Sequence, residues 1–147
     1  MQSWFSNETE LLTWGGPGLK FDVSSDEFAQ QIKLSELASY VLCEGDEVLA
    51  FGQFYVRLGR HHFGRLAVSP KHRGKRLAYQ LLSLLAQQAT NVQTANGYSL
   101  FVLSDNKPAI QTYQNCGFEF AAYPQEKPGG LTDCLYMTAE TLHIPTR

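Results

Sequence analysis

Residues 65–82, RLAVSPKHRGKRLAYQLL, constrain the fold of this chain more than any other stretch. They open as an apolar run, Leu66, Ala67 and Val68, and stop at Ser69-Pro70, a turn signal. A basic cluster follows (Lys71, His72, Arg73, Gly74, Lys75, Arg76). Then come apolar residues at helical spacing: Leu77, Ala78, Leu81, Leu82, Leu84, Leu85 and Ala89. The pattern predicts strand, loop and helix, with positive charge gathered where the helix starts. A helix start presents unpaired backbone N–H groups and the positive end of the macrodipole, so it attracts anions. Four of the chain's twelve Lys and Arg residues lie between positions 71 and 76, although the whole chain carries a net charge of −2. A compact anion suits this arrangement.

Around this unit the chain alternates between helical and strand patterns. Residues 7–14 open with a capping residue and acids, and read as a short helix ended by Gly15-Gly16-Pro17-Gly18. Ser24 can cap a second helix with Phe28, Ile32 and Leu34 on an imperfect apolar side. Residues 40–43 and 48–56 are β-rich and joined by a hairpin turn at 44–47; residues 57–61 read as a second polar connection and 63–68 as a third strand. After Asn96-Gly97 comes an apolar strand, 98–103. Pro108 then stands in the first turn of a helix carrying Ala109, Ile110 and Tyr113, which Gly117 stops. Two closing strands, 118–122 and 134–138, flank a loop, 124–132, whose Pro128-Gly129-Gly130 reads as mobile. This order predicts an α/β chain: a mixed, mainly antiparallel α+β sheet flanked by helices. A right-handed crossover sets 98–103 parallel to 63–68.

At 147 residues the chain is long enough for one core, and 1–147 is expected to be a single domain. No segment has the apolar length of a membrane span, and Met1-Gln2-Ser3-Trp4 lacks the features of a signal peptide. Cys43, Cys116 and Cys134 form no CxxC pair, which argues against a disulfide framework or a zinc site and for a reducing cytoplasm. The near-neutral charge argues against nucleic-acid and membrane partners.

Ligands of open α/β sheets sit beyond the carboxyl ends of parallel strands. A polyphosphate cradled by 73–78 would therefore extend toward Asn106 and Tyr113. The run Val68-x-Pro70-x-x-Arg73-Gly74-Lys75-x-Leu77-Ala78-x-x-Leu81-Leu82 resembles the pyrophosphate-binding motif of the GNAT superfamily, the acetyl-CoA-dependent N-acetyltransferases. Asn106-x-Pro108-Ala109-x-x-x-Tyr113-x-x-x-Gly117-Phe118 resembles its companion motif, in the family's order and spacing. The resemblance covers residues 62–118 well and the rest only in general layout.

It implies acetyl-CoA as co-substrate, with no metal. Arg73, Gly74, Lys75, Arg76, Leu77 and Ala78 would receive the pyrophosphate, and Leu66, Ala67 and Val68 would pair with the pantetheine arm. The Val68 amide would meet the oxyanion, Asn106 would contact the pantetheine, and Tyr113 would protonate the departing thiolate. The family usually has glycine where this chain has Arg76. A side chain there must turn away from the phosphates or reach around them; a helix start allows an L-residue, which favours a tolerated substitution.

Each residue also has a plainer reading. Tyr113 could pack its helix on the sheet, and Asn106 could serve as an N-cap. His62 stands where several family members have a glutamate base, and imidazole titrates near neutral pH; it is otherwise a strand-end surface histidine, and a water chain could take the same role. Alternation sets it on one face with Gly64, Leu66 and Val68, opposite His61. Cys116 reads as an ordinary small residue at a helix end, with no base nearby to make it an acyl carrier. Trp14 and Phe54 either border the acceptor pocket or belong to the core. The implied activity is transfer of acetyl to a primary amine, on a small molecule or a peptide. A non-catalytic acyl-CoA-binding sensor is the alternative. A nucleotide-triphosphate site lacks its GxxxxGK[ST] pattern. The family's closing strands often support dimers, which makes a homodimer compatible with the chain.

Overall fold

The apolar stripe after Arg76 does form a helix, α3 (Leu77–Val92), which buries Leu77, Leu81, Leu82, Leu85 and Ala89. Leu84, 39% exposed, falls outside the buried stripe. The computed structural model describes residues 1–15, 19–74, 76–124 and 133–145. Gly16-Pro17-Gly18, Lys75 and the loop segment 125–132 with its Pro128-Gly129-Gly130 lie outside the described residues.

Helix α1 (Glu8–Gly15) begins as expected: the Glu10 N–H donates to Asn7 Oδ1 at 2.9 Å. Helix α2 (Ser25–Gln31) is capped by Ser24 Oγ, which accepts from the Glu27 N–H at 3.1 Å. It is shorter than the sequence suggests; Ile32 is buried just past its end and Leu34 is 44% exposed. Strands β1 (Ala38–Glu44), β2 (Glu47–Arg57) and β3 (Arg60–Val68) form an antiparallel meander. Strand β4 (Tyr98–Leu103), helix α4 (Lys107–Asn115), β5 (Glu119–Ala121) and β6 (Cys134–Ala139) complete the chain. Among the described residues six strands lie in the order β1-β2-β3-β4-β6-β5, and only the β3/β4 pair is parallel. This is the mixed, mainly antiparallel sheet that the sequence predicts.

The alternation of β2 divides the molecule into two layers. Ala50 and Phe54 join Phe63, Leu100, Val102, Met137 and Ala139 under α3 and α4 in the larger core. Phe51 faces the other way and packs with Leu11, Leu19, Phe28 and Ile32 of the α1/α2 layer. Gly52 lets α3 lie close, because a Cβ there would stand 2.6 Å from Leu85 Cδ1 and 2.9 Å from Leu66 Cδ2.

Two expectations change here. The connection after β2 is only Leu58-Gly59, both with positive φ; β3 starts at Arg60, so His61 and His62 are strand residues, each 2% exposed, and not a surface pair. Simple alternation also fails within β3. The register shifts between Phe51 and Gln53, and Arg65 adopts φ +51, which makes a β-bulge. His62 and Gly64 face the α1/α2 side opposite Tyr55 and Gln53, whereas Leu66 and Val68 join the α3 core.

Candidate active site

Strands β3 and β4 pair only where His61, His62 and Phe63 meet Tyr98, Ser99 and Leu100. Beyond that point β3 continues to Val68 and β4 to Leu103 without pairing. The two carboxyl-terminal halves therefore splay, and the β4-facing edge of residues 64–68 keeps backbone groups free to pair with an extended ligand. Gly64, Leu66, Ala67 and Val68 are all partly exposed along it. The bulge at Arg65 bends the strand. Its guanidinium holds the bulge in place by donating to the carbonyls of Gly15 (3.3 Å) and Ile32 (3.2 Å) and to Gln53 Oε1 (3.0 Å).

Beyond Val68 a 3-10 turn, Pro70–His72, leads into the start of α3. His72 Nε2 lies 3.1 Å from Glu47 Oε1, and Arg73 is exposed. Gly74 has φ +83 and open space around it, which lets backbone approach an anion closely. Arg76, the N-cap of α3, makes no side-chain cap hydrogen bond. A helix start beside an open glycine and an unpaired strand edge fits a pyrophosphate joined to an extended arm.

Arg76 departs from the expected geometry. It is not in an ordinary helix-start conformation but in the left-handed region, with φ +63, where glycine is favoured. Its side chain turns away from the open end of α3: Nη2 donates to the Pro145 carbonyl at 2.7 Å, and the guanidinium carbon lies 4.7 Å from the Tyr79 ring centroid. The Tyr79 hydroxyl in turn accepts from Asn115 Nδ2 at 3.0 Å, which ties α3 to α4.

Asn106 is an N-cap: its Oδ1 accepts from the Ala109 N–H at 3.4 Å. It is exposed, so the cap leaves its amide nitrogen open to a ligand. Tyr113 is half-buried against the same core as Val68 and Ile110, with its ring edge-on to Phe118. Burial first, and the nearby Cys116 second, push its phenol up to about 12, so it holds its proton throughout the neutral range. Cys116 is fully buried and its thiol is pushed up to about 11 by desolvation. That is the state of a packing residue and not of a nucleophile.

His62 does not titrate near neutral pH. Burial, with Arg57 nearby, holds its imidazole down to about 3 instead of near neutrality. The ring is neutral, its Nδ1 is hydrogen-bonded to Ser99 Oγ at 2.8 Å, and it packs against Tyr55 and Phe101. Phe54, expected beside the acceptor, lies instead in the α3-side core, 5% exposed and stacked on Tyr40 at 5.6 Å. Trp14 stacks on Phe5 at 4.6 Å within the α1/α2 layer. On that side Tyr55, Phe101 and Tyr123 gather around the Arg57 guanidinium; Tyr55 shares with Phe54 the expectation of either acceptor pocket or core, and the other three carry no assignment from the sequence. The signal for them was the alternate spacing of Gln53, Tyr55 and Arg57, and of Ser99 and Phe101. No residue pattern announces the bulge that gives them a face of their own.

The acetyltransferase (GNAT) family matches this chain over residues 4–118. The chain belongs to that family. The GNAT domain of this chain is 35% identical over 57 residues to the N-terminal acetyltransferase B complex catalytic subunit NAA20 of Arabidopsis thaliana, which is 39% of this chain and 33% of that protein. The match thus spans about a third of the curated relative's length. Among solved structures, the ribosomal-protein-S18-alanine N-acetyltransferase of Escherichia coli superposes with a TM-score of 0.63 at 20% identity, covering 96% of this chain and 94% of that one. A GNAT family acetyltransferase from Elizabethkingia anophelis with acetyl-CoA bound gives 0.63 at 19% identity, covering 84% and 93%. At such identities the likeness speaks for the GNAT fold alone. Within the described residues no helix is long and apolar enough to cross a membrane.

Proposed function

We propose that this GNAT protein is an acetyl-CoA-dependent N-acetyltransferase that moves the acetyl group directly to a primary amine. The observation that carries the reading is the splay between β3 and β4, which opens toward the start of α3, with Tyr113 packed against the same core as Val68. The backbone of Arg73, Gly74, Leu77 and Ala78 receives the pyrophosphate, while the Arg76 guanidinium is taken up by Pro145 and Tyr79. Leu66, Ala67 and Val68 pair with the pantetheine arm, and Asn106 contacts it. The Val68 N–H, one fixed donor at the bulged strand, receives the oxyanion that develops as the amine adds to the thioester carbonyl. Tyr113, protonated at neutral pH, gives its proton to the departing thiolate and regains one from solvent. The attacking amine loses its proton to water, because His62 is too weak a base at neutral pH to take it. His62 instead acts as a neutral wall that holds Ser99 and Phe101 in position. A cytoplasmic setting fits three cysteines with no CxxC pair among them.

Thiol release from acetyl-CoA on mixing with a broad amine panel tests the reading, with the acetylated amine identified by mass. Tyr113→Phe is expected to cut kcat by roughly a hundredfold while changing coenzyme A affinity less than twofold. An equal loss in both would demote Tyr113 to packing. Tight coenzyme A binding without turnover on any amine would favour a sensor.

A further inference from the structure

We infer that the preferred acceptor carries a carboxylate set apart from its amine, toward the α1/α2 side of the sheet, and that Arg57 is the residue that selects it. This rests on the N-acetyltransferase reading of the site. Phe101 is the first residue of β4 past the last β3–β4 pair, so its ring marks the mouth of the splay on the α1/α2 side. Arg57 pairs with Arg60 at the hairpin end of β2, and its side chain reaches along the sheet face to that ring. Its guanidinium carbon is 5.7 Å from the Phe101 ring centroid and 5.5 Å from that of Tyr55. Nη1 donates to the Tyr123 hydroxyl at 2.9 Å and Nη2 to the Tyr55 hydroxyl at 3.3 Å, while Nε is buried with no partner.

A guanidinium has five donors in a planar fork, and these two neutral hydroxyls use two of them. No carboxylate among the described residues pairs with Arg57, and the nearest imidazole, His62, is neutral. Arg65 adds a second charge on the same face, again held only by neutral acceptors, the Gly15 and Ile32 carbonyls and Gln53 Oε1. As packing alone, a charge wedged between aromatic rings costs desolvation that the phenols only partly offset. As a recognition element it is complete except for its counter-ion. A carboxylate matches the free edge of the fork in shape and charge, whereas a polyamine or a lysine-rich peptide meets two like charges in a partly desolvated cleft.

The test uses the full chain, acetyl-CoA and acceptors in pairs that differ only by carboxylate against carboxamide. The pairs are amino acids with the two groups at graded separations and short peptides with Asp or Asn set apart from the amine; spermidine and a lysine peptide form the cationic arm. The carboxylate member of the best pair is expected to win by about tenfold to a hundredfold in kcat/KM, through KM, with the cationic acceptors slowest. Arg57→Gln should pull that carboxylate acceptor down to its carboxamide partner, and Arg57→Lys should restore part of the preference. If Arg57→Gln fails to fold, Tyr123→Phe, which frees one donor of the fork, should still narrow the ratio within the pair. Equal rates within every pair, or cationic acceptors fastest, would overturn the selection by Arg57 while leaving N-acetyltransfer intact. A loss in Arg57→Gln that is the same for both pair members would mark the residue as structural and overturn it too. Coenzyme A binding with no acetylated amine anywhere in the panel would remove the activity itself, and this inference with it.

Discussion

Arg76 shows how one residue can satisfy a motif and strain it together. A left-handed L-residue costs about 1–2 kcal/mol relative to glycine, while the bond to the Pro145 carbonyl and the contact with Tyr79 each return roughly 1 kcal/mol or less. Arg76→Ala keeps the strain and loses both contacts, so we expect a loss of about 1–2 kcal/mol in chemical denaturation. Arg76→Gly loses the same contacts but relieves the strain and should stay within about 1 kcal/mol of the parent. Alanine as the milder change would refute the left-handed geometry. His62 makes a second prediction at this scale. Its pKa lies near 3 in the folded protein against an ordinary 6.5, so below pH 6.5 the unfolded chain binds a proton that the folded chain refuses. Stability is therefore full above about pH 6.5 and falls as pH drops toward 3, by up to about 1.4 kcal/mol per pH unit for this ring. Burial shifts His61 in the same direction. Melting curves between pH 7 and 4 should show a shallower fall for His62→Gln, and identical slopes would mean that the ring is not what the acid attacks.

Among the elements, β3 decides most. Its first three residues hold β4 in parallel register, its bulge turns two successive side-chain sets to opposite layers, and its last residues leave the edge that an extended ligand needs. The start of β4 depends on Gly97, whose φ is +110 and where a Cβ would stand 2.5 Å from the Ala139 carbonyl oxygen. That neighbour is backbone in a strand and cannot swing aside. Gly97→Ala is expected to cost at least about 2 kcal/mol of folding stability, read by urea denaturation. A change of a few tenths would show that the β4–β6 end gives way easily.

At the scale of the molecule, the two layers stand on one sheet, and the splay lies where the sheet is least complete. A ligand that fills it binds only the folded protein. Acetyl-CoA at a hundredfold excess over its Kd should therefore raise stability by about 2.7 kcal/mol, seen as a concentration-dependent rise in Tm; an unchanged Tm across that range would deny the site. The sequence by itself determined the strand–loop–helix at 65–82, the companion helix with Asn106 and Tyr113, and the mixed sheet, because hydrophobic period, capping residues and turn chemistry are local properties written in adjacent residues. Only the tertiary structure decided that Phe54 is core, that Arg76 turns to Pro145, that His62 is too deeply buried to titrate near neutrality, and that Arg57 meets Tyr55, Phe101 and Tyr123 with no carboxylate partner among the described residues. Those facts depend on a bulge at Arg65 and on partners up to 69 positions away in the chain, and burial and pKa are set by what surrounds a group in space.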